Sequence, residues 1–303
     1  MLKPLCLALC TLLASTWALA APRTLDTPYG PVTLQGSPTR VITLDESSLD
    51  AALAVGVQPV GTVSTRGSDQ VSAYLQERAG QPQIVGTARA PNLEAILKLA
   101  PDLILAPAGV SQELFATYSR IAPTVASKNS SMNDWQATTA FYALALDRQA
   151  QGQQVLAAID QRAAELKARL PAEQRVSVVR WNPQGPIAMS GRIFVGQMLH
   201  KVGLQTTELA NGLKGPHSDV LSLENLSRID ADWLFVASLN ADGASALEAA
   251  RQQPAFTRLH AVRQNHVATV DGQVWASGSG PLAAHKVLDD LQRILALWAR
   301  FCS

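Results

Sequence analysis

The chain has 303 residues, 47% of them hydrophobic, and its 25 Lys and Arg against 24 Asp and Glu leave a formal net charge of +1. Without a basic block or a net positive field it has no electrostatic footprint for nucleic acid or for an anionic membrane surface. Its three cysteines are Cys6, Cys10 and Cys302, which excludes a Cys-based zinc or redox centre in the body of the chain.

The first twenty residues, MLKPLCLALCTLLASTWALA, read as a secretory signal peptide. Lys3 supplies the short basic start, Pro4 to Leu13 the apolar run, and Ala18-Leu19-Ala20 a small-x-small cleavage site. The run is short for a membrane span, and an N-terminal membrane anchor is the alternative reading. Cys10 sits in the middle of the run rather than after small residues at its end, so lipid attachment is not expected. The mature chain is predicted to begin near Ala21, and with Cys6 and Cys10 removed no intramolecular disulfide is possible. Such a secreted chain must be held by its apolar core.

APRTLDTPYGPVTLQGSPT then predicts a short hairpin or extended lead-in. Arg40–Leu44 reads as a buried strand, a short continuous run rich in β-branched residues. Ser47–Gly56 reads as a helix with a Ser cap and a Gly stop. Strands follow at 58–64 and 83–86, then a helix opening at Pro91 and Asn92, a strand at 102–106, the helix SQELFATYSRIA and the short strand TVAS. This alternation predicts a parallel sheet covered on both faces.

From Asp134 the pattern turns helical. Val155, Ile159, Ala163, Leu166 and Leu170 recur at three- and four-residue steps before Pro171 stops the run. Some twenty such residues span about 30 Å, roughly the width of a small domain. The segment is either one more surface helix or a rigid bridge between two lobes. Strand–helix alternation restarts with RVSVVR (175–180), followed by KVGLQ (201–205), DWLFVAS (232–238), QNHVATVD (264–271) and a closing helix from Pro281.

The second half echoes the first. NLEAILKLAPDLILA (92–106) and SLENLSRIDADWLFV (222–236) both open on Leu-Glu and reach an Asp before a run of large apolar residues, so that Glu94 matches Glu224 and Asp102 matches Asp232. Ordinary helix–strand grammar repeated twice is one explanation, and duplicated architecture is the other. The predicted fold class is α/β: two Rossmann-like lobes with mostly parallel sheets, at 21–146 and 171–303, joined by one long linker helix at 147–170.

The chain contains no P-loop, no G-x-G-x-x-G, no G-x-S-x-G elbow and no H-E-x-x-H. Its five histidines lack metal-ligand spacing, with His217 in a loop the least implausible ligand, and no metal site is predicted. In open α/β sheets ligands bind outside the carboxyl ends of the strands. Just past those ends lie Arg66, Thr87, Arg89, Arg180, Trp181, Arg192, Trp275 and the SGSG run at 277–280. Arg forks suit carboxylates and oxyanions and Trp a flat apolar wall, so the candidate pocket fits a bulky, anionic, partly aromatic ligand. Each Arg could equally be a solvated loop charge. Asp45, Glu46 and Asp271 at strand ends leave open a secreted enzyme, though no base is paired with a nucleophile.

RVITLDESSLDAALAVGVQPVG, VGTARAPNLEAILKLAPDLILA, SLENLSRIDADWLFVA and VATVDGQVWASGSGPLAAHKVLDDL together resemble the periplasmic substrate-binding proteins of iron–siderophore ABC importers, the ferric-dicitrate branch most nearly. The resemblance covers about 40–291. It implies a periplasmic, monomeric, non-catalytic protein with two lobes spanned by one long helix. It would carry ferric iron only inside a bound siderophore and need no cofactor of its own. It also implies that Glu94 and Glu224 dock onto basic pockets of an ABC permease dimer in the inner membrane. Thr87 stands where haem-binding relatives carry a Tyr, and the WASGSG segment lacks the basic residues of dicitrate binders. Haem- or cobalamin-binding members of the same fold, and a siderophore-modifying enzyme, are the alternatives.

Overall fold

Continuous β-branched runs have no polar face to offer water, so each must be covered on both sides. Accordingly β3 (Val41–Thr43), β4 (Gly61–Ser64), β7 (Leu103–Ala106) and β8 (Thr124–Ala126) are buried at every position. The structure is a computed structural model and describes residues 21–130, 132–171 and 173–296. The expected signal peptide and Cys302 lie outside the described residues. The lead-in forms a hairpin of β1 (Arg23–Thr27) and β2 (Gly30–Leu34). With β5 (Gln83–Thr87) and β6 (Ala90–Pro91), the first sheet has the order β6-β5-β4-β3-β7-β8. Only β6 runs antiparallel, at the edge, where Pro91 breaks no internal ladder. Gly86, at φ +100°, makes that reversal: a Cβ there would lie 2.5 Å from the Ala90 carbonyl oxygen.

The second sheet contains β9 (Arg175–Asn182), β10 (Gly185–Ala188), β12 (Trp233–Ser238) and β13 (Val267–Asp271) in the order β10-β9-β12-β13, with β11 (Gln205–Thr206) beside β9. No strand pairs across the two sheets among the described residues. Between them runs the helix Gln149–Lys167. It lays Ile159, Ala163 and Leu166 into the second half's core and packs on the helices Trp135–Ala145 and Pro281–Leu291.

The repeated Asp has a structural explanation. Asp102 accepts hydrogen bonds from the Thr39 and Arg40 amides, at 2.7 and 2.9 Å, and so fixes the start of β3 against β7. Asp232 accepts from the Arg175 amide at 2.8 Å and fixes β9 against β12 in the same way. Asp232→Ala removes one charge-assisted bond at a solvated sheet edge and is expected to cost about 1–2 kcal/mol, measurable by urea denaturation; an unchanged midpoint refutes the role.

Two local expectations change. The cap of the helix Glu46–Ala54 is Asp45, which accepts from the Ser48 amide at 3.0 Å, rather than Ser47. The second Leu-Glu segment (Leu223–Ile229) is a 3₁₀ helix, whereas its counterpart Leu93–Lys98 is α-helical. Asn92 caps the α-helix by accepting from the Ala95 amide, but Ser222 makes no such bond and instead accepts from the Asn225 side chain. Uncapped, the short segment tightens.

Candidate functional site

Parallel strands deliver every carboxyl end to the same edge of a sheet, so segments after β3, β4, β5 and β13 gather where the two halves meet. A cavity of about 180 Å³ opens there. It is lined from the first half by Asp45, Glu46, Thr65, Arg66 and Ser72, and from the second by Ser277 and Ser279. Met132 also borders a second recess of about 540 Å³, which carries Arg192 and Lys214 beside Ser130, Asn133 and Ser190. The two recesses share Met132 and form one cleft between the halves, lined by hydroxyls, by the cations Arg66, Arg192 and Lys214, by the acids Asp45 and Glu46, and by apolar side chains.

Arg66 follows β4 of the first sheet and Arg180 lies in β9 of the second. Burial, and then the Arg66 guanidinium, lower Arg180 below the ordinary arginine value. Arg180 Nε is buried and has no hydrogen-bond partner within the chain. Arg66, Arg180 and Arg192 take part in none of the ion pairs among the described residues. Two guanidiniums near one another and outside the ion pairs make an anion trap even with Asp45 and Glu46 in the same lining: an oxyanion placed between them would relieve their repulsion and satisfy the orphaned donor.

The other expected residues divide. Thr87, at the end of β5, and Arg89, on the turn after it, are exposed; Thr87 accepts from the Ala90 amide at 3.1 Å, and neither lines the two recesses. The aromatic wall is a correction. Trp181 is 2% exposed and packs edge-on against Phe256, while Trp275, 1% exposed, stacks on Phe235 and donates from Nε1 to Asp290 at 3.0 Å. Both rings fill the second half's cores, where their large apolar area belongs, and neither lines the recesses. His217 bonds through Nδ1 to the Ser218 carbonyl, and no cluster of three metal-ligating side chains occurs among the described residues.

Of the acids weighed for catalysis, Asp45 and Asp271 cap helices. Asp45 and Glu46 both line the cleft, and the Glu46 carboxylate accepts from the Thr65 and Ser72 hydroxyls, with the Tyr74 hydroxyl at 3.2 Å. Sequence reading did not single out Met132, Lys214, Tyr74 or Asp50. Asp50 carried one signal: it is an acid inside the apolar pattern of LDAALAVG.

Glu94 and Glu224 are exposed on the outer surface, Glu94 paired with Lys98 at 2.7 Å. Each helix leads back into a strand parallel to its sheet, so both acids stand near the carboxyl edges that frame the cleft. Leu93, Leu97, Val220 and Leu223, four of the six exposed large hydrophobics, flank these two acids.

Residues 41–274 match the periplasmic binding protein family. Over 270 residues the chain is 30% identical to the probable siderophore-binding lipoprotein YfiY of Bacillus subtilis (strain 168), covering 86% of this chain and 83% of that protein. It is 28% identical over 285 residues to the Fe(3+) dicitrate-binding periplasmic protein FecB of Escherichia coli (strain K12), covering 93% of each. The solved structure of Staphylococcus aureus SirA complexed with staphyloferrin B matches with a TM-score of 0.77 and 25% identity, over 89% of this chain and 97% of that one.

Proposed function

This chain belongs to the periplasmic binding protein family, and from that premise we propose that it captures an anionic ferric siderophore in the cleft and delivers it to an inner-membrane ABC importer. The lobes are 21–146 and 171–303, with 147–170 as the spanning segment. The observation that carries the reading is the Arg66–Arg180 pair, contributed by opposite halves and in none of the ion pairs among the described residues. Cargo carboxylates or chelating oxygens would bridge the two guanidiniums, and Arg192 with Lys214 would hold a further anionic arm. Ser64, Thr65, Ser277 and Ser279 offer hydroxyls to the same surface. Because the tryptophans are in the cores, a carboxylate-rich, hydrophilic chelate fits this cleft better than a flat aromatic one. The iron stays inside its chelator and nothing is turned over.

At the rim, Glu94 and Glu224 occupy equivalent places on the two halves, which suits a permease dimer with two equivalent basic pockets. The exposed leucines beside them add apolar area around each acid.

Calorimetric titration tests the cargo assignment directly. Trp135, Trp181, Trp233 and Trp275 are all buried, so heat is a more direct readout than tryptophan fluorescence. Across ferric citrate, a ferric hydroxamate, a ferric catecholate, haem and cobalamin, the expected result is tightest binding by a carboxylate-type chelate, at about micromolar or better. Binding of haem alone, or of none of them, overturns the reading.

A further inference from the structure

Behind the cleft, the halves are joined by a contact that has no counterpart in the sequence repeat. The helix Pro281–Leu291 begins without a side-chain cap of its own, at Gly280. Its cap comes from the other half. Asp50, fully buried in the helix Glu46–Ala54, accepts from the Leu282 amide through Oδ1 at 2.8 Å and from the Ala283 amide through Oδ2 at 2.9 Å. Only glycine permits this approach, since a Cβ at residue 280 would lie 2.6 Å from the Asp50 carboxyl carbon. A carboxylate serving the first-turn donors of a helix across the lobe boundary is a latch.

The latch is wired to the cleft by one hydroxyl. Tyr74 Oη lies 3.1 Å from Asp50 Oδ2 and 3.2 Å from Glu46 Oε1. A tyrosine has one proton to donate, so with both acids ionised one of these contacts would set lone pair against lone pair. A proton on one carboxyl removes the conflict by donating to the Tyr74 oxygen while Tyr74 donates to the other acid. Asp50 already receives two amide donors at the positive end of a helix and is the better seat for the negative charge. We infer that Glu46 carries the shared proton and that Glu46–Tyr74–Asp50 are positioning residues, a proton-bearing latch between the cleft floor and the joint of the two lobes.

Burial raises both acids, Asp50 to about 7, against the opposing effect of its hydrogen bonds. Among the groups around them, Asp45 on the same helix raises Glu46 further. Tyr142 on the neighbouring helix Trp135–Ala145 is itself raised by burial and then by Asp45. Arg78, on the Tyr74 helix, and His285, on the latched helix, form no hydrogen bond or ion pair with either acid. An acid raised on folding binds more protons folded than unfolded. The stabilisation tied to the shared proton is therefore complete in acid and declines as pH rises above the ordinary carboxyl range.

The inference goes beyond the proposed function and holds whatever the cleft carries. Its test uses the ligand-free protein. The melting temperature of the wild type is expected to fall by roughly 5–10 °C between pH 5 and pH 7.5. Glu46→Gln keeps a donor toward Tyr74 at every pH, so its curve should stay near the wild-type acid value and lose most of the slope. Asp50→Asn must turn an amide donor toward one of the two backbone donors and should melt lower throughout. Hydrogen exchange at Leu282 and Ala283, corrected for intrinsic rates, should accelerate with pH in the wild type and not in Glu46→Gln. A Glu46→Gln curve that tracks the wild type overturns the inference. So does an Asp50→Asn variant that flattens the slope while Glu46→Gln does not, because the proton then sits on Asp50.

Discussion

Replacing Glu94 and Glu224 together by Ala is expected to reduce importer-dependent iron uptake to background while the purified protein binds its cargo as before. Both side chains are exposed and Glu94 engages only Lys98, an i,i+4 surface pair that contributes about 0.3–0.5 kcal/mol. Folding should therefore change by no more than about 0.5 kcal/mol. In the proposed docking, each carboxylate would exchange water for a desolvated basic group of the permease, and truncating such a pair costs on the order of 2–5 kcal/mol. Two of them together exceed what a transient complex can lose. Single variants should fall between, since each half keeps one anchor. The measurement is uptake of radiolabelled iron, supplied as the chelate that calorimetry identifies, in cells depending on this protein. Full uptake by the double variant would disprove docking through these acids and point to a receptor or another surface.

The second large effect is expected at the anion trap. Arg66→Ala and Arg180→Ala each remove charge-assisted bonds of about 1.5–3 kcal/mol, or roughly 10- to 150-fold in affinity. The double variant should lose on the order of a thousandfold or more, because neither remaining group completes the trap. The two sites differ in their apo behaviour. Arg66 is exposed, so its loss should leave stability unchanged. Arg180 is partly buried with an unpaired Nε and a like charge nearby, so removing it should not destabilise and can stabilise the empty protein. A pair of variants that bind the carboxylate-type chelate like the wild type would remove the central support for the cargo assignment.

Much of the fold was legible because it rests on local patterns. RVITL, DLILA and DWLFV are short apolar runs bounded by turns, and they became buried parallel strands at nearly the predicted limits. The Leu-Glu repeat led to two separate sheets with equivalent β3–β7 and β9–β12 pairings, each tied by its own Asp. At the site, Arg66 lines the cavity because a parallel sheet fixes which end of each strand carries loops, whereas Arg192 lines its recess although it follows β10, which runs antiparallel to β9. Strand-end reasoning failed for Trp181 and Trp275. Position in the chain locates a residue at a strand end, but which way a large ring turns depends on whether a core behind it has room. Phe256, Phe235 and Asp290 supplied that core.

The sequence by itself determined the alternation of strands and helices, the doubling, the surface acids and the near-neutral charge, since each is a periodicity or a count along one chain. Only the tertiary structure decided that Arg180 feels the charge of Arg66, that Asp50 caps a helix more than two hundred residues away, and that Tyr74 stands between two acids with one proton to give. These are pairings between distant segments, set by how the halves pack rather than by any neighbour in the chain, and the distances that turn charge into attraction or repulsion exist only once that packing is made.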